Sequence, residues 1–453
     1  MNTYSLPGRQ RTLLFAGMGV GLLCLILSWF LDDSGHHMRF WTNFLHNSVF
    51  FTGIALMAIF FYSVCNTAWA GWHVQFKRVW EAMSMFLGVG LILMAIIALG
   101  LVFGWHHMYH WADQASVESD KILQHKSSFL NKGWYIVSVV FIGIWYFFAV
   151  KLRSLSVAED AQGGLKDFSH HIKTRYWTAG FLPIVGFSSC LVIWQWVMSI
   201  DAHWYSTLFA WYSGASLFVS MIAMTILVLI FLKSLGYYPN VSTEHFHDLG
   251  KFMFAFSIFW TYLWFSQYML IWYSNNGEET VYFNTRQDQY PVLFYANLAI
   301  NFLVPFFVLM RNDTKRKFGS LITVALIVIF GHWLDFFLMI KPGALHTAHE
   351  VGGHGHHGES QGHGDAGHHA GQASHHMTDA GHHAEAAADH GADLAHGAAS
   401  TFEAGFSMPG FLEFGTLIGF LCLFLYVMYT SLSKANLVAK NDPYLSESLH
   451  HHV

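Results

Sequence analysis

The sequence predicts an all-α, polytopic membrane protein, and three observations carry that reading. Hydrophobic residues make up 54% of the 453-residue chain and charged residues only 11%, against about 25% charged in an average soluble domain. The apolar residues gather into ten long runs, and about 20 apolar residues suffice to cross a bilayer as a helix. Lys and Arg concentrate in alternate loops, the bias that orients helices in a membrane. An ordinary soluble enzyme or nucleic-acid-binding domain is excluded, and no nucleic-acid partner is expected.

Taken in order, the ten transmembrane helices run over 12–31, 41–66, 78–103, 130–152, 176–200, 205–232, 251–273, 290–311, 319–340 and 410–432. The first lacks a small-x-small cleavage site and is too long for a signal-peptide core, so it reads as a helix. Seventeen of the 23 basic residues fall on one side. That side becomes cytoplasmic by the positive-inside rule, which places both termini inside. The turn at Asp201, the 104–130 loop and the loop after the ninth span then face outward. The chain divides into nine helices over 1–341, a periplasmic loop over 342–409, a tenth helix over 410–433 and a cytoplasmic tail over 434–453. The 153–172 stretch reads either as a short interfacial helix or as a loop. The C-terminal LHHHV reads as a tail without an assigned role.

The 342–409 loop is low-complexity, with fourteen histidines between His346 and His396 among Gly, Ala, Asp and Glu. Such a composition cannot bury a core and is expected to be disordered. Imidazole is a general ligand for zinc, copper and nickel, so His354, His356, His357, His368 and His369 are weak metal-ligand candidates; adventitious binding is the competing reading. The four cysteines lie far apart inside apolar runs, and no iron–sulfur or c-type haem motif exists. No redox cofactor is therefore expected on this chain. The deep histidines His46 and His332 leave a b-type haem as a minor alternative.

Ionisable groups inside membrane helices are costly, which makes each a functional candidate. In the turn between the fifth and sixth spans, Asp201 and His203 lie between Trp196 and Trp204, and Trp favours the membrane interface. In the ninth span, His332 and Asp335 are three apart and share a helix face, so they can contact each other. At 1.5 Å per residue they lie roughly 20 and 24 Å along that helix, in its outer half. His46 and Glu413 lie at the outer side as well, and Glu81 alone lies near the cytoplasmic end beside Arg78. These seven residues are the candidates for a proton pathway, because a carboxylate beside an imidazole favours its protonation. Gln195, Gln267, Asn297 and Asn301 read first as amides that bond neighbouring helices, and Glu81 and Glu413 have an interfacial salt bridge as a competing role.

Three stretches carry a family likeness: WQWVMSIDAHWYSTLFAWYSGAS at 194–216, HWLDFFLMI at 332–340 and NFLVPFFVLMRNDTKR at 301–316. Together with ten spans and cytoplasmic termini, they make the chain resemble the F subunit (ActF) of bacterial alternative complex III, which is related to ActC and the NrfD-like membrane subunits. The resemblance implies two four-helix bundles, spans two to five and six to nine, flanked by two peripheral helices. It also implies a subunit of a respiratory quinol:cytochrome c or quinol:oxidase oxidoreductase in the bacterial inner membrane. Menaquinol or ubiquinol would be oxidised through an ActC-like quinol-binding subunit, iron–sulfur clusters in ActB and c-type haems in further subunits. This chain would contribute a proton path and an assembly surface. Two other readings stand beside it, a quinol-binding subunit in its own right and a metal or ion transporter whose histidine loop captures cargo.

Overall fold

Apolar runs longer than a bilayer core fold as helices because a lipid-exposed backbone must satisfy its own hydrogen bonds. The computed structural model describes residues 3–32, 36–161, 168–354 and 403–451. Among these the chain is all-α. Nine helices are long and apolar enough to cross a membrane, and no sheet is present, only isolated bridges from Thr3 to Asn436 and from Ala404 to Met408.

The helices are α1 (Gly8–Phe30), α2 (Met38–Thr67), α3 (Lys77–Phe103), α4 (Lys132–Ala161), α5 (Ser169–Trp196), α6 (Leu208–Ser234), α7 (Thr243–Ser274), α8 (Gly277–Gln289), α9 (Pro291–Leu309), α10 (Phe318–His354) and α11 (Phe411–Leu432). All but α7 and the short, polar α8 belong to the nine. The sequence counts ten spans, and the difference is the 251–273 segment. It lies in α7, whose 32 residues are rich in Trp and Tyr, rings with an apolar body and a polar tip. Its length of about 48 Å still carries it along α6 from one end of the molecule to the other.

Helices that are apolar all round belong in a core, and α2 and α6 are such helices, each with 83% of its most apolar window buried. They pack on each other. Around α2, the pairs α2–α3, α3–α4, α4–α5 and α5–α2 are in contact; around α6, the pairs α6–α7, α7–α9, α9–α10 and α10–α6 are. α1 and α11 pair closely along one flank. Small residues set that crossing, since a Cβ placed on Gly21 would lie 2.3 Å from the Gly419 Cα. Gly17 and Gly21 on α1 face Cys422 and Gly419 on α11, a small-xxx-small surface of the kind that lets membrane helices approach. Replacing Gly419 by Leu is expected to separate α1 from α11 at a cost of about 1–3 kcal/mol. A thermal-unfolding midpoint in detergent equal to that of the wild type would contradict this packing.

Two boundaries differ from the sequence reading. α10 continues past residue 340 through Lys341 and Pro342 to His354. Lys341 marks no membrane edge: its ammonium donates to Thr42 Oγ1 at 2.7 Å and lies over the Phe406 ring, buried in protein. α4 likewise runs on to Ala161, so much of the 153–172 stretch is the end of a long helix, and 162–167 lie outside the described residues. The C-terminal tail is also more than an unassigned end. Asp442 pairs with Lys77, Ser448 Oγ donates to the Trp72 carbonyl at 2.8 Å, and His451 meets Asp248 at 2.6 Å. The tail thus ties together the helix ends opposite the Asp201 turn.

Candidate functional site

Asp335 on α10 has no exposed surface, so the protein must replace the water its carboxylate gives up. It does so with four donors. Oδ1 accepts from Asn297 Nδ2 at 2.8 Å and from the Tyr212 hydroxyl; Oδ2 accepts from Ser216 Oγ and Trp260 Nε1, each at 3.0 Å. These donors come from α6, α7 and α9, the three helices surrounding α10 on this side. Tyr212 and Ser216 are four apart on one face of α6. Two donors on each oxygen fill the lone-pair sites of an ionised carboxylate.

His332, also without exposed surface, does not touch Asp335 directly. The contact their spacing allows is relayed: Ser216 Oγ lies 2.9 Å from His332 Nδ1 while it reaches Asp335. The reason is geometric, because residues three apart on a helix point along one face but diverge, and α6 supplies a hydroxyl between them. A hydroxyl can donate to either neighbour and accept from the other. The His332–Ser216–Asp335 chain can therefore reverse its hydrogen bonds as one proton shifts along it.

The local sequence of α9 brings its amides to this site. Pro305 has no N–H to give to the carbonyl four residues earlier, and the turn before it, Ala299–Leu303, is a π-helix. π-Bulges recur at functional sites because they re-aim side chains. Here both Asn297 and Asn301 face inward, with Asn301 Nδ2 donating to Asn297 Oδ1 at 2.6 Å. Gly331 on α10 allows the close approach, since a Cβ there would lie 2.2 Å from Asn301 Oδ1.

Next to Asp335 is a cavity of about 20 Å³, lined by Tyr212, Gln267, Asn297 and Arg286 among others. A water needs about 10–15 Å³ for its centre, so the cavity has room for one. Gln267 Oε1 lines it without a protein partner among the described residues. At its far wall is Arg286 on α8, which donates to the Leu338 carbonyl (3.0 Å), the Tyr282 carbonyl (2.9 Å) and Asp201 Oδ2 (2.8 Å). The Leu338 carbonyl is free because Pro342, four residues on, cannot donate to it. Burial opposes the guanidinium charge, but Tyr282 and Asp201 outweigh it and hold Arg286 above the usual arginine range. Asp201 keeps some exposure, and a Cβ on Gly343 would lie 2.6 Å from its Oδ1, so α10 makes room for it. A line of polar groups thus runs from buried His332 through Ser216, Asp335, the cavity and Arg286 to Asp201 at the surface.

The other sequence candidates lie apart from that line. His203 faces away from Asp201 and pairs with Asp120 of the 104–130 loop, while Lys126 Nζ donates to the carbonyls of Ala202 and His203 at 2.9 and 2.7 Å. Burial pushes the Asp120 carboxyl up, but hydrogen bonds from His203 and the Ile122 and Leu123 amides outweigh it and hold Asp120 below its usual 3.8. A depressed acid stabilises the fold above its unfolded value and loses that contribution as pH falls through the folded value. Acidification below about pH 4 is therefore expected to loosen the loop from the turn, read as faster proteolysis within 104–130. Asp120→Asn should be loose at neutral pH already, and an identical acid response in both proteins would contradict the pairing.

His46 Nε2 lies 2.9 Å from the Trp333 carbonyl with its ring stacked on Trp333, joining α2 to α10. Glu413 is held in a buried pair with Arg39 at 2.9 and 3.0 Å, and Asn43 donates to it at 3.0 Å. Gln195 Nε2 donates to the Phe129 carbonyl at 2.8 Å, a helix-to-loop tie. At the opposite end, Glu81 accepts from Arg78 (2.9 Å) and Ser156 (2.7 Å). Buried charge is not confined to the Asp201 end as the sequence suggests. Lys77, Arg78, Glu81, Glu159 and Asp442 form a second network at the tail end, where Glu159, His171 and Asp442 also converge. The candidate metal ligands His356, His357, His368 and His369 lie outside the described residues, as does the side chain of His354.

Arg286, Trp260, Tyr212, Ser216 and Asp120 were not singled out from the sequence. Tyr212 and Ser216 lie inside the 194–216 stretch at helical spacing, a usable signal; Trp260 gives none.

Fold and site together define a multi-pass helical membrane protein with a buried carboxylate wrapped in donors and joined to the surface by an arginine. No protein-family model matches the chain, and no curated protein does.

Proposed function

We propose that this chain is a membrane subunit of a respiratory quinol oxidoreductase of the alternative complex III type, and that it conducts protons released by quinol oxidation. The observation that carries the reading is Asp335, a carboxylate in four donors beside a cavity that leads to Asp201. Ten crossings are counted by adding α7, giving two four-helix groups, α2–α5 and α6–α10 without α8, flanked by α1 and α11. The positive-inside rule makes the tail end cytoplasmic and the Asp201 end periplasmic, so the polar line opens where quinol-derived protons are released.

In this reading electrons pass through iron–sulfur clusters and c-type haems held by partner subunits, from menaquinol or ubiquinol bound by an ActC-like subunit. Quinol binding beside Asp335 itself is disfavoured by size: the cavity is about 20 Å³, whereas sites for small molecules occupy about 300–1,000 Å³. A metal transporter calls for carboxylates open to cargo at mid-depth, while Asp335 and Glu413 are both saturated by protein donors.

The testing experiment is affinity isolation of the tagged chain from its native membrane in mild detergent. Iron–sulfur and multihaem c-type proteins in fixed ratio with it, with quinol-dependent cytochrome reduction, are the expected result. Isolation of the chain without redox partners contradicts the assignment.

A further inference from the structure

Arg286 stands between the two carboxylates of the proton line and belongs neither to the helix that carries Asp335 nor to the turn that carries Asp201. It is 3% exposed. Its guanidinium carbon lies over the Tyr282 ring, 3.4 Å from the centroid, and Tyr282 stacks in turn on Trp204 of the Asp201 turn at 3.9 Å. The three donations to Leu338, Tyr282 and Asp201 fix the head between the cavity on one side and the partly exposed Asp201 on the other. Tyr290, just before α9, is buried, and its hydroxyl has no hydrogen-bond partner among the described residues. Asp201 neutralises the pair seen from the surface, but Arg286 and not Asp201 lines the cavity, and there the guanidinium is the nearer charge. In a low-dielectric passage it repels a hydronium or metal cation more strongly than it would in water, the device by which arginines exclude cations from membrane pores.

We propose that Arg286, locked to Asp201, is an electrostatic plug that closes the Asp335 cavity against protons and small cations from the Asp201 side. This deepens the proton-conducting reading by adding how back-flow is prevented. A proton leaves when the Arg286–Asp201 pair opens, and a cation approaching from the surface meets the closed pair first. The Leu338 carbonyl released by Pro342 and the space left by Gly343 are the two features of α10 that seat it.

The test is access of protons to Asp335 from the Asp201 side, read on the purified full chain in detergent by time-resolved infrared spectroscopy. The Asp335 carboxyl signal, identified by its loss in Asp335→Asn, is followed after a rapid jump in pH and after a jump into deuterium oxide. No quinol, partner or route through the rest of the chain is needed, so the result does not depend on the redox assignment. In the wild type the signal is expected to respond slowly. Arg286→Gln should speed the response at least tenfold, and Arg286→Lys should not. Should Arg286→Gln fail to fold, Arg286→Gln with Asp201→Asn leaves no unpaired charge and reads the same increase. A folded Arg286→Gln protein whose Asp335 signal responds at the wild-type rate overturns the plug. Failure to co-purify with redox partners would instead remove the quinol oxidoreductase reading while leaving this result standing.

Discussion

Replacing Asp335 by Asn is expected to lower quinol-dependent turnover of the assembled complex by roughly 10²-fold, the low end of what a positioned acid or base contributes. Asparagine keeps the size and one acceptor oxygen but turns the other oxygen into a donor. Either Asn297 and Tyr212, or Ser216 and Trp260, would then face an N–H group. The proton that shifts along His332–Ser216–Asp335 loses its terminus, while the helix packing around it is retained. Mispaired donors cost about 1–3 kcal/mol, so the variant needs a check that it still assembles. Assembled complex with unchanged turnover would remove Asp335 from the mechanism.

The largest effect on stability is expected at the other buried carboxylate. Glu413 holds Arg39 through two bonds, accepts from Asn43 and caps its own helix through the Gly410 amide at 2.9 Å. Removing one partner of a buried pair leaves the other charge uncompensated, at about 3–5 kcal/mol. Glu413→Ala should therefore lower the thermal midpoint of the detergent-solubilised protein strongly. Replacing both partners, as in Glu413→Gln with Arg39→Met, should recover most of the loss, because hydrophobic or neutral substitutes for buried pairs are often tolerated. A Glu413→Ala protein that melts with the wild type would show that the pair is not a clamp between α2 and α11.

The helices were legible because their signal is local: length and apolarity of one run decide whether it spans, and they placed nine of them directly. The segment around 260 reads in sequence as an apolar run like the others, yet its Trp and Tyr leave it outside the nine helices that are long and apolar enough to cross. His332 and Asp335 were legible as neighbours on one face. Ser216, which joins them, was not, because a helix periodicity says nothing of which face of another helix lies opposite. Asp201 and His203, two apart in sequence, part to partners 85 and 83 residues away, Arg286 and Asp120. Such pairings are set by how loops fold over helix ends. Pro342 shows the same limit: in sequence it opens the loop after the ninth span, whereas in the fold it lies inside α10 and frees a carbonyl for Arg286.

Glu81 and Glu413 were candidates for proton transfer on cost of burial alone. The structure pairs each with a fixed cation, Glu81 with Arg78 of its own helix and Glu413 with Arg39 of α2, and Ser156 of α4 joins Glu81 across to a second helix, which suits structural ties. Asp335 differs in kind. It is compensated only by neutral donors and borders a cavity, the arrangement in which a proton can be taken up without breaking an ion pair.

The most direct measurement is the number of protons released per electron by the isolated complex in vesicles, for wild type and Asp335→Asn at matched turnover. Fewer protons per electron appearing on the periplasmic side in the variant, with the remainder emerging on the cytoplasmic side and electrons still reaching the acceptor, is the predicted result. An unchanged ratio would mean that protons leave by another route and that the buried carboxylate serves only to hold its helices together.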